Sequence, residues 1–150
     1  MTQIDFELLT EIDEYKAIID LSDRAKLFLE SQSWCNSIKK CWFDFGIYDK
    51  IAVFLFQIEP INDIVGEFIW VIEGDLPTVY LDQSIQTGQE ALKVYCELMT
   101  DWYENILNKR SISDCYPVST APTEENANLL KTRIEFIRRE LLTIDKNKCP

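Results

Sequence analysis

Residues 51–59 read IAVFLFQIE, apolar on both of the faces that a β-strand presents. An alternating strand needs cover on one side only. This one needs it on two, which places it in the middle of a sheet with material against each face. Pro60 ends it, and the partner strands have to come from the residues on either side.

Candidates stand there. Residues 42–48 alternate, with Phe43, Phe45 and Ile47 on one side and Trp42, Asp44, Gly46 and Tyr48 on the other, and Asp49-Lys50 suits a tight turn. After a loop at 61–66, residues 67–73 predict a third strand, Phe68, Trp70 and Ile72 facing one way and Ile69 and Val71 the other. Gly74-Asp75-Leu76-Pro77 is expected to end it, with Asp75 as a turn residue bonding its own backbone, and residues 79–81 to add a short fourth. Such short connections favour an antiparallel meander.

The flanks carry helical spacing. Leu8, Leu9, Ile12, Tyr15, Ile18 and Ile19 recur at steps of three and four, and Ser22 reads as the N-cap of a second helix with Ala25, Phe28 and Leu29 facing inward. Residues 34–41 read as its continuation or a separate short helix. Past the strands, Thr87-Gly88-Gln89-Glu90 has the form of a capping box ahead of the stripe Leu92, Tyr95, Cys96, Met99, Trp102, Tyr103 and Ile106. Thr123 is the expected N-cap of a last helix that buries Ala127, Leu130, Ile134, Ile137 and Leu141 and carries Lys131, Arg133, Arg138 and Arg139 on its other side. The expected fold is α+β: a small antiparallel sheet of three to four strands over about 42–81, flanked by N-terminal and C-terminal helices, in a single domain 1–150. No repeat or linker interrupts it.

Charge is unevenly spread. The net value is -11, from 26 acidic and 15 basic side chains. Residues 1–30 hold eight acidic and three basic groups, while residues 51–83 hold Glu59, Asp63, Glu67, Glu73, Asp75 and Asp82 with no Lys or Arg. Such a surface repels phosphate and anionic lipid, which disfavours direct contact with nucleic acid or membrane, and it attracts a basic protein. A pairing of residues 51–59 with 67–73 would bring Glu59 and Glu67 to one edge beside Asp63.

The chemistry is defined by omissions. The chain has no histidine, so Ser-His and Cys-His pairs, histidine metal sites and the commonest general base are excluded. Neither a GxGxxG nor a P-loop pattern occurs, and the five cysteines, Cys35, Cys41, Cys96, Cys115 and Cys149, lack zinc-site spacing. Cys35 and Cys41 could face each other across a fold, but buried apolar thiols are the simpler expectation. With no apolar leader at the N-terminus and no run long enough to span a bilayer, reduced thiols in the cytoplasm are expected. Glu73 and Asp75, with Glu59 close by, are the one arrangement left for carboxylate chemistry, and no lysine lies between residues 51 and 92 to assist it. No catalytic residue, cofactor or metal is expected.

Trp70-Val71-Ile72-Glu73-Gly74-Asp75-Leu76-Pro77 followed by Tyr80 resembles small bacterial proteins of unknown function that share a W-[VI]-I-x-G-D-L-P-x-x-Y core. The strand at 51–60 and the helix around Trp102 are similar too, so the resemblance spans roughly residues 34–140 and leaves out the acidic N-terminal block. It implies no activity. Small acidic proteins of this general kind are often immunity proteins, which occupy the active surface of a toxin.

The expected function is therefore a protein-binding module inhibiting a basic partner, a toxin or a nucleic-acid-binding protein, through Glu59, Asp63, Glu67, Glu73, Asp75 and Tyr80. The alternatives are a nucleic-acid-mimicking or defence-related inhibitor, where a mimic needs carboxylates in a regular line, and a regulatory subunit of a larger complex, which needs exposed apolar surface. Trp34, Trp42, Tyr48, Trp70, Tyr80, Trp102 and Tyr116 are candidate anchors, of which one or two are expected to be exposed.

Overall fold

In the computed structural model, residues 2–3, 12–47, 50–62 and 66–142 are described. The elements run β1 Thr2–Gln3, α1 Ile12–Glu30, β2 Cys35–Ile47, β3 Ile51–Pro60, β4 Phe68–Gly74, β5 Leu76–Asp82, α2 Gly88–Leu107 and α3 Glu124–Ile137, followed by π-helix at Arg138–Leu142. The sheet is an antiparallel meander in chain order, four full strands with the two residues of β1 on the outer edge of β2. The class is α+β, with a helix before the four full strands and helices after them. The chain divides into two compact units, residues 1–91 and 92–150.

In the first unit β3 is the central strand and is covered on both faces. Ala52, Phe54, Phe56 and Ile58 point to α1, joined by Cys35 and Cys41 of β2 and by Ile69 and Val71 of β4. On the other face Ile51 and Val53 are buried with Trp70, Ile72 and Val79. The helix supplies Ile18, Leu21, Ala25 and Leu29, spaced by three and four residues. That stripe runs unbroken through Ser22, so the helix does not restart there. Ser22 is buried mid-helix and its hydroxyl donates to the Ile19 carbonyl at 2.8 Å, where an N-cap would bond forward. Leu8 and Leu9, expected on the same stripe, lie outside the described residues.

β2 begins at Cys35, so residues 35–41 are strand rather than helix. The pairing with β3 shows why alternation was hidden. Register shifts between Cys35/Ser37, Ile38/Lys40 and Phe43/Phe45 mark three bulges, at which Asn36, Lys39 and Asp44 are the extra residues. Each bulge resets the side-chain parity, so no period of two survives along the strand.

β4 and β5 are joined through Asp75 alone, with Gly74 paired to Leu76. The fourth strand is therefore longer than residues 79–81 and includes Pro77, tolerated because β5 is an edge strand bulged at Pro77 and Thr78. The Asp75 main-chain N–H donates to the Lys50 carbonyl at 2.8 Å, folding the turn back over the start of β3. Gly46 and Gly74 flank that start. A Cβ on Gly46 would overlap the Ile51 carbonyl oxygen, and one on Gly74 that of Lys50. The sheet closes to this spacing because neither strand carries a side chain there.

The first turn of α2 also belongs to this unit. Thr87 caps it, its hydroxyl accepting from the Glu90 N–H at 3.0 Å, while Glu90 accepts from the Gln86 N–H at 3.3 Å. In the second unit α2 buries Leu92, Tyr95, Cys96, Met99, Trp102 and Tyr103. It ends at Leu107, and two residues on Lys109 has a φ of 56°, in the left-handed region that normally selects glycine, with the Arg110 N–H bonded to the Asn105 carbonyl at 2.7 Å. Thr123 caps α3 through the Asn126 N–H at 3.1 Å, and the buried residues are Ala127, Leu130, Ile134 and Ile137, while Leu141 is half-buried.

Gly74→Ala is expected to lower the unfolding free energy by about 2–3 kcal/mol in urea titration, because the added methyl meets backbone that cannot move aside. Lys109→Gly is expected to raise it by roughly 0.5–1 kcal/mol by relieving the left-handed conformation. Equal or reversed effects at either position would contradict the geometry.

Candidate functional site

Glu59 and Glu67 come together at one end of the β3–β4 pair, as their strand-end positions imply. The Ile58 N–H donates to the Glu67 carbonyl at 2.8 Å and Gln57 pairs with Phe68. Both carboxylates are exposed, and the bulges of β2 determine what surrounds them. Asn36, the first extra residue, donates from Nδ2 to Glu59 Oε1 at 3.4 Å, and the neighbouring Ser37 hydroxyl donates to Oε2 at 3.3 Å. Lys39, the second, places Nζ 3.9 Å from Glu67 Oε1, which also accepts from Gln57 Nε2 at 2.6 Å. The acidic end is thus a lattice of amide, hydroxyl and one ammonium donor. An exposed pair such as Lys39–Glu67 contributes at most about 1 kcal/mol. Asp63 lies outside the described residues.

Asp44, the third extra residue, turns the other way along the chain. Its carboxylate accepts the Gly88 N–H at the N-terminus of α2, a position that favours negative charge. Burial pushes its pKa up, and the Gly88 hydrogen bond offsets only part of that.

The remaining predicted site residues are elsewhere. Glu73 and Asp75 stand at the far end of β4, a strand of seven residues and so about 20 Å long. Glu59 is not beside them, because antiparallel pairing sends the end of β3 to the beginning of β4. The expected approach of Glu59 to Glu73 and Asp75 does not occur. Asp75 is exposed, whereas Glu73 is only 5% exposed and faces α1 from beside Ala52. The Thr78 hydroxyl donates to Glu73 Oε2 at 2.8 Å, a reach provided by the bulge of β5 opposite. Burial raises the Glu73 pKa, opposed by Thr78, by the charge of Arg24 and by the Gly74 N–H, and reinforced by Asp20. Tyr80 is half-buried on the α1 face, its ring 5.0 Å from Trp34 and 5.9 Å from Phe28. It supports the core on the face opposite Glu59.

Of the aromatic anchors, Trp70 and Trp102 are buried, while Trp34, Trp42, Tyr80 and Tyr116 are half-buried. Tyr48 lies outside the described residues, and none of the six described is exposed. What sequence reasoning missed is an apolar row. Trp42, Leu55, Trp70 and Leu81 are directly paired across β2 to β5 on the face that Glu59 occupies. Trp70 is fixed by an indole N–H bond to the Ile85 carbonyl at 2.8 Å. Trp42, Leu55 and Leu81 are half-buried, as is Phe68, whose ring lies 6.4 Å from Trp42, and Lys40 Nζ sits 6.0 Å above the Trp42 ring. Trp42 and Leu55 could have been placed together only with the bulges known.

The described cysteines behave as small apolar residues. Cys35, Cys41 and Cys96 are buried, and Cys115 is half-buried under the Asn105 amide, with Nδ2 to Sγ at 3.3 Å. Cys35 and Cys41 pair with Pro60 and Phe56, four residues apart on β3, too far for a disulfide. Burial pushes the thiol of Cys41 up to about 12 and that of Cys96 to about 11. Among the described residues no group of three or more His, Cys, Asp or Glu is placed to hold a metal ion. No described helix is long and apolar enough to cross a membrane.

Comparison with known proteins adds no relative: no family model matches the chain, and neither the curated proteins nor the solved structures contain a match.

The thiols yield a direct check. In the native protein at pH 8, Cys41 and Cys96 are expected to resist a chromogenic disulfide reagent that labels the urea-unfolded chain in full. Rapid labelling of either without unfolding, located by mass spectrometry, would contradict the assigned burial.

Proposed function

We propose that this chain is a non-catalytic binding module whose acidic surface engages and blocks a basic protein, in the manner of an immunity protein neutralising a toxin. The observation that carries the proposal is the placement of Glu59 and Glu67 at the border of the row formed by Trp42, Leu55 and Leu81, with Phe68 beside it. Large apolar side chains in the middle with a hydrogen-bonded polar rim are the usual anatomy of a protein–protein interface. The net charge of -11 selects the sign of the partner and speeds the encounter. Trp42, at the β2 end of the row and half-buried, is the natural anchor, since tryptophan in an interface carries binding energy out of proportion to its number.

A nucleic-acid mimic is less well supported. Imitating a phosphate backbone takes exposed carboxylates in sequence along a surface, and Glu73, which would have to continue the line from Glu67, is buried beneath α1.

The test is affinity capture with the intact chain as bait from its native cells. A basic protein should be retained at low salt and released as salt rises. The double reversal Glu59→Lys with Glu67→Lys should slow its association about tenfold while the circular dichroism spectrum stays unchanged. Trp42→Ala should speed dissociation instead. A captured partner indifferent to salt and to all three substitutions would remove this surface from consideration.

A further inference from the structure

β2 carries two basic residues, Lys39 and Lys40, and both reach the surface that Glu67 and Trp42 border. Successive residues of a regular strand point to opposite faces, but Lys39 is the extra residue of a bulge and escapes that alternation. Lys40 stands opposite Gln57, and Gln57 opposite Phe68, in the row next to Trp42 and Leu55. Its ammonium lies 6.0 Å from the centroid of the Trp42 ring, at the outer limit of a cation–π contact. The Lys39 ammonium lies 3.9 Å from Glu67 Oε1, the oxygen that Gln57 already bonds at 2.6 Å. Both lysines are exposed, and long contacts made in water are weak. The surface therefore holds two cations of its own, loosely, one on an indole and one on a carboxylate.

We propose, resting on the reading of this face as a binding surface, that the two ammonium groups are resident stand-ins for arginine side chains of the partner, which displace them. The ligand of the surface is then a pair of guanidinium groups, one stacked on Trp42 and one forked onto Glu67. The chemistry favours the exchange. A guanidinium is planar and weakly hydrated, so it stacks on an indole and meets a carboxylate through two N–H groups. An ammonium is a compact, strongly hydrated point charge that does neither as well. Each lysine still competes with the incoming group, so its removal strengthens binding. A lysine that touched the partner itself, or propped up the surface, would act in the opposite direction.

The test is an NMR titration of the full chain with a hexa-arginine peptide and, separately, with hexalysine. The readouts are the Trp42 indole N–H, identified by its loss in Trp42→Phe, and the main-chain N–H of Glu67. Hexa-arginine should shift both signals and bind more tightly than hexalysine. Lys39→Gln and Lys40→Gln should each tighten hexa-arginine binding by about two- to fivefold. Lys16→Gln, the same change of charge at an exposed position of α1, should tighten it less. Weaker binding in either β2 variant, a gain matched by Lys16→Gln, or equal affinity for the two peptides overturns the displacement. Shifts that still centre on Trp42 and Glu67 then leave the binding surface standing. Shifts absent from both residues remove the surface and the displacement together.

Discussion

The structure depends on β3 being apolar on both faces. A strand of that kind has no edge or surface position open to it, so it draws a neighbour to each side and cover to each face. β4 meets the demand in regular register, but β2 does so only with three extra residues. Asn36, Lys39 and Asp44 are the residues left over when thirteen positions of β2 are matched to ten of β3. Each is polar, and each leaves the ladder to bond something else: Glu59, Glu67 and the N-terminus of α2. Inward-facing apolar residues on β2 stay aligned with β3 because the polar ones are expelled into bulges.

The same device handles the acidic segment. Residues 51–83 carry six carboxylates and no cation of their own, yet the sheet brings β2 alongside and with it Lys39 and the Asn36 amide. At the other end a bulge in β5 carries Thr78 to Glu73, and α1 contributes Arg24. Negative charge that looks continuous along the chain is divided by the sheet: Glu59 and Glu67 are exposed at one end of the β3–β4 pair, while at the other Glu73 is buried and Asp75 exposed.

Much of the architecture was legible. The central strand, the antiparallel order, the caps at Thr87 and Thr123 and the inward stripes of α2 and α3 follow from local patterns, and each local pattern agrees with its tertiary setting. The start of β2 was not legible, since three parity resets within thirteen residues erase the period of two and leave a run such as Ser37-Ile38-Lys39-Lys40-Cys41 looking helical. Ser22 misled for a related reason: a residue type that suits a helix start was buried by the stripe passing beneath it. Of the candidate site, the meeting of Glu59 and Glu67 was legible, but its separation from Glu73 and from Tyr80 was not.

The amino-acid sequence by itself determined the central strand, the helical stripes, the want of histidine chemistry and the sign of the surface, because each is a matter of residue type at short spacing. Only the tertiary structure decided which carboxylates share a face, which are neutralised, and which large side chains line up across four strands. Those outcomes turn on register, and a single extra residue in a strand moves every side chain beyond it to the other side of the sheet.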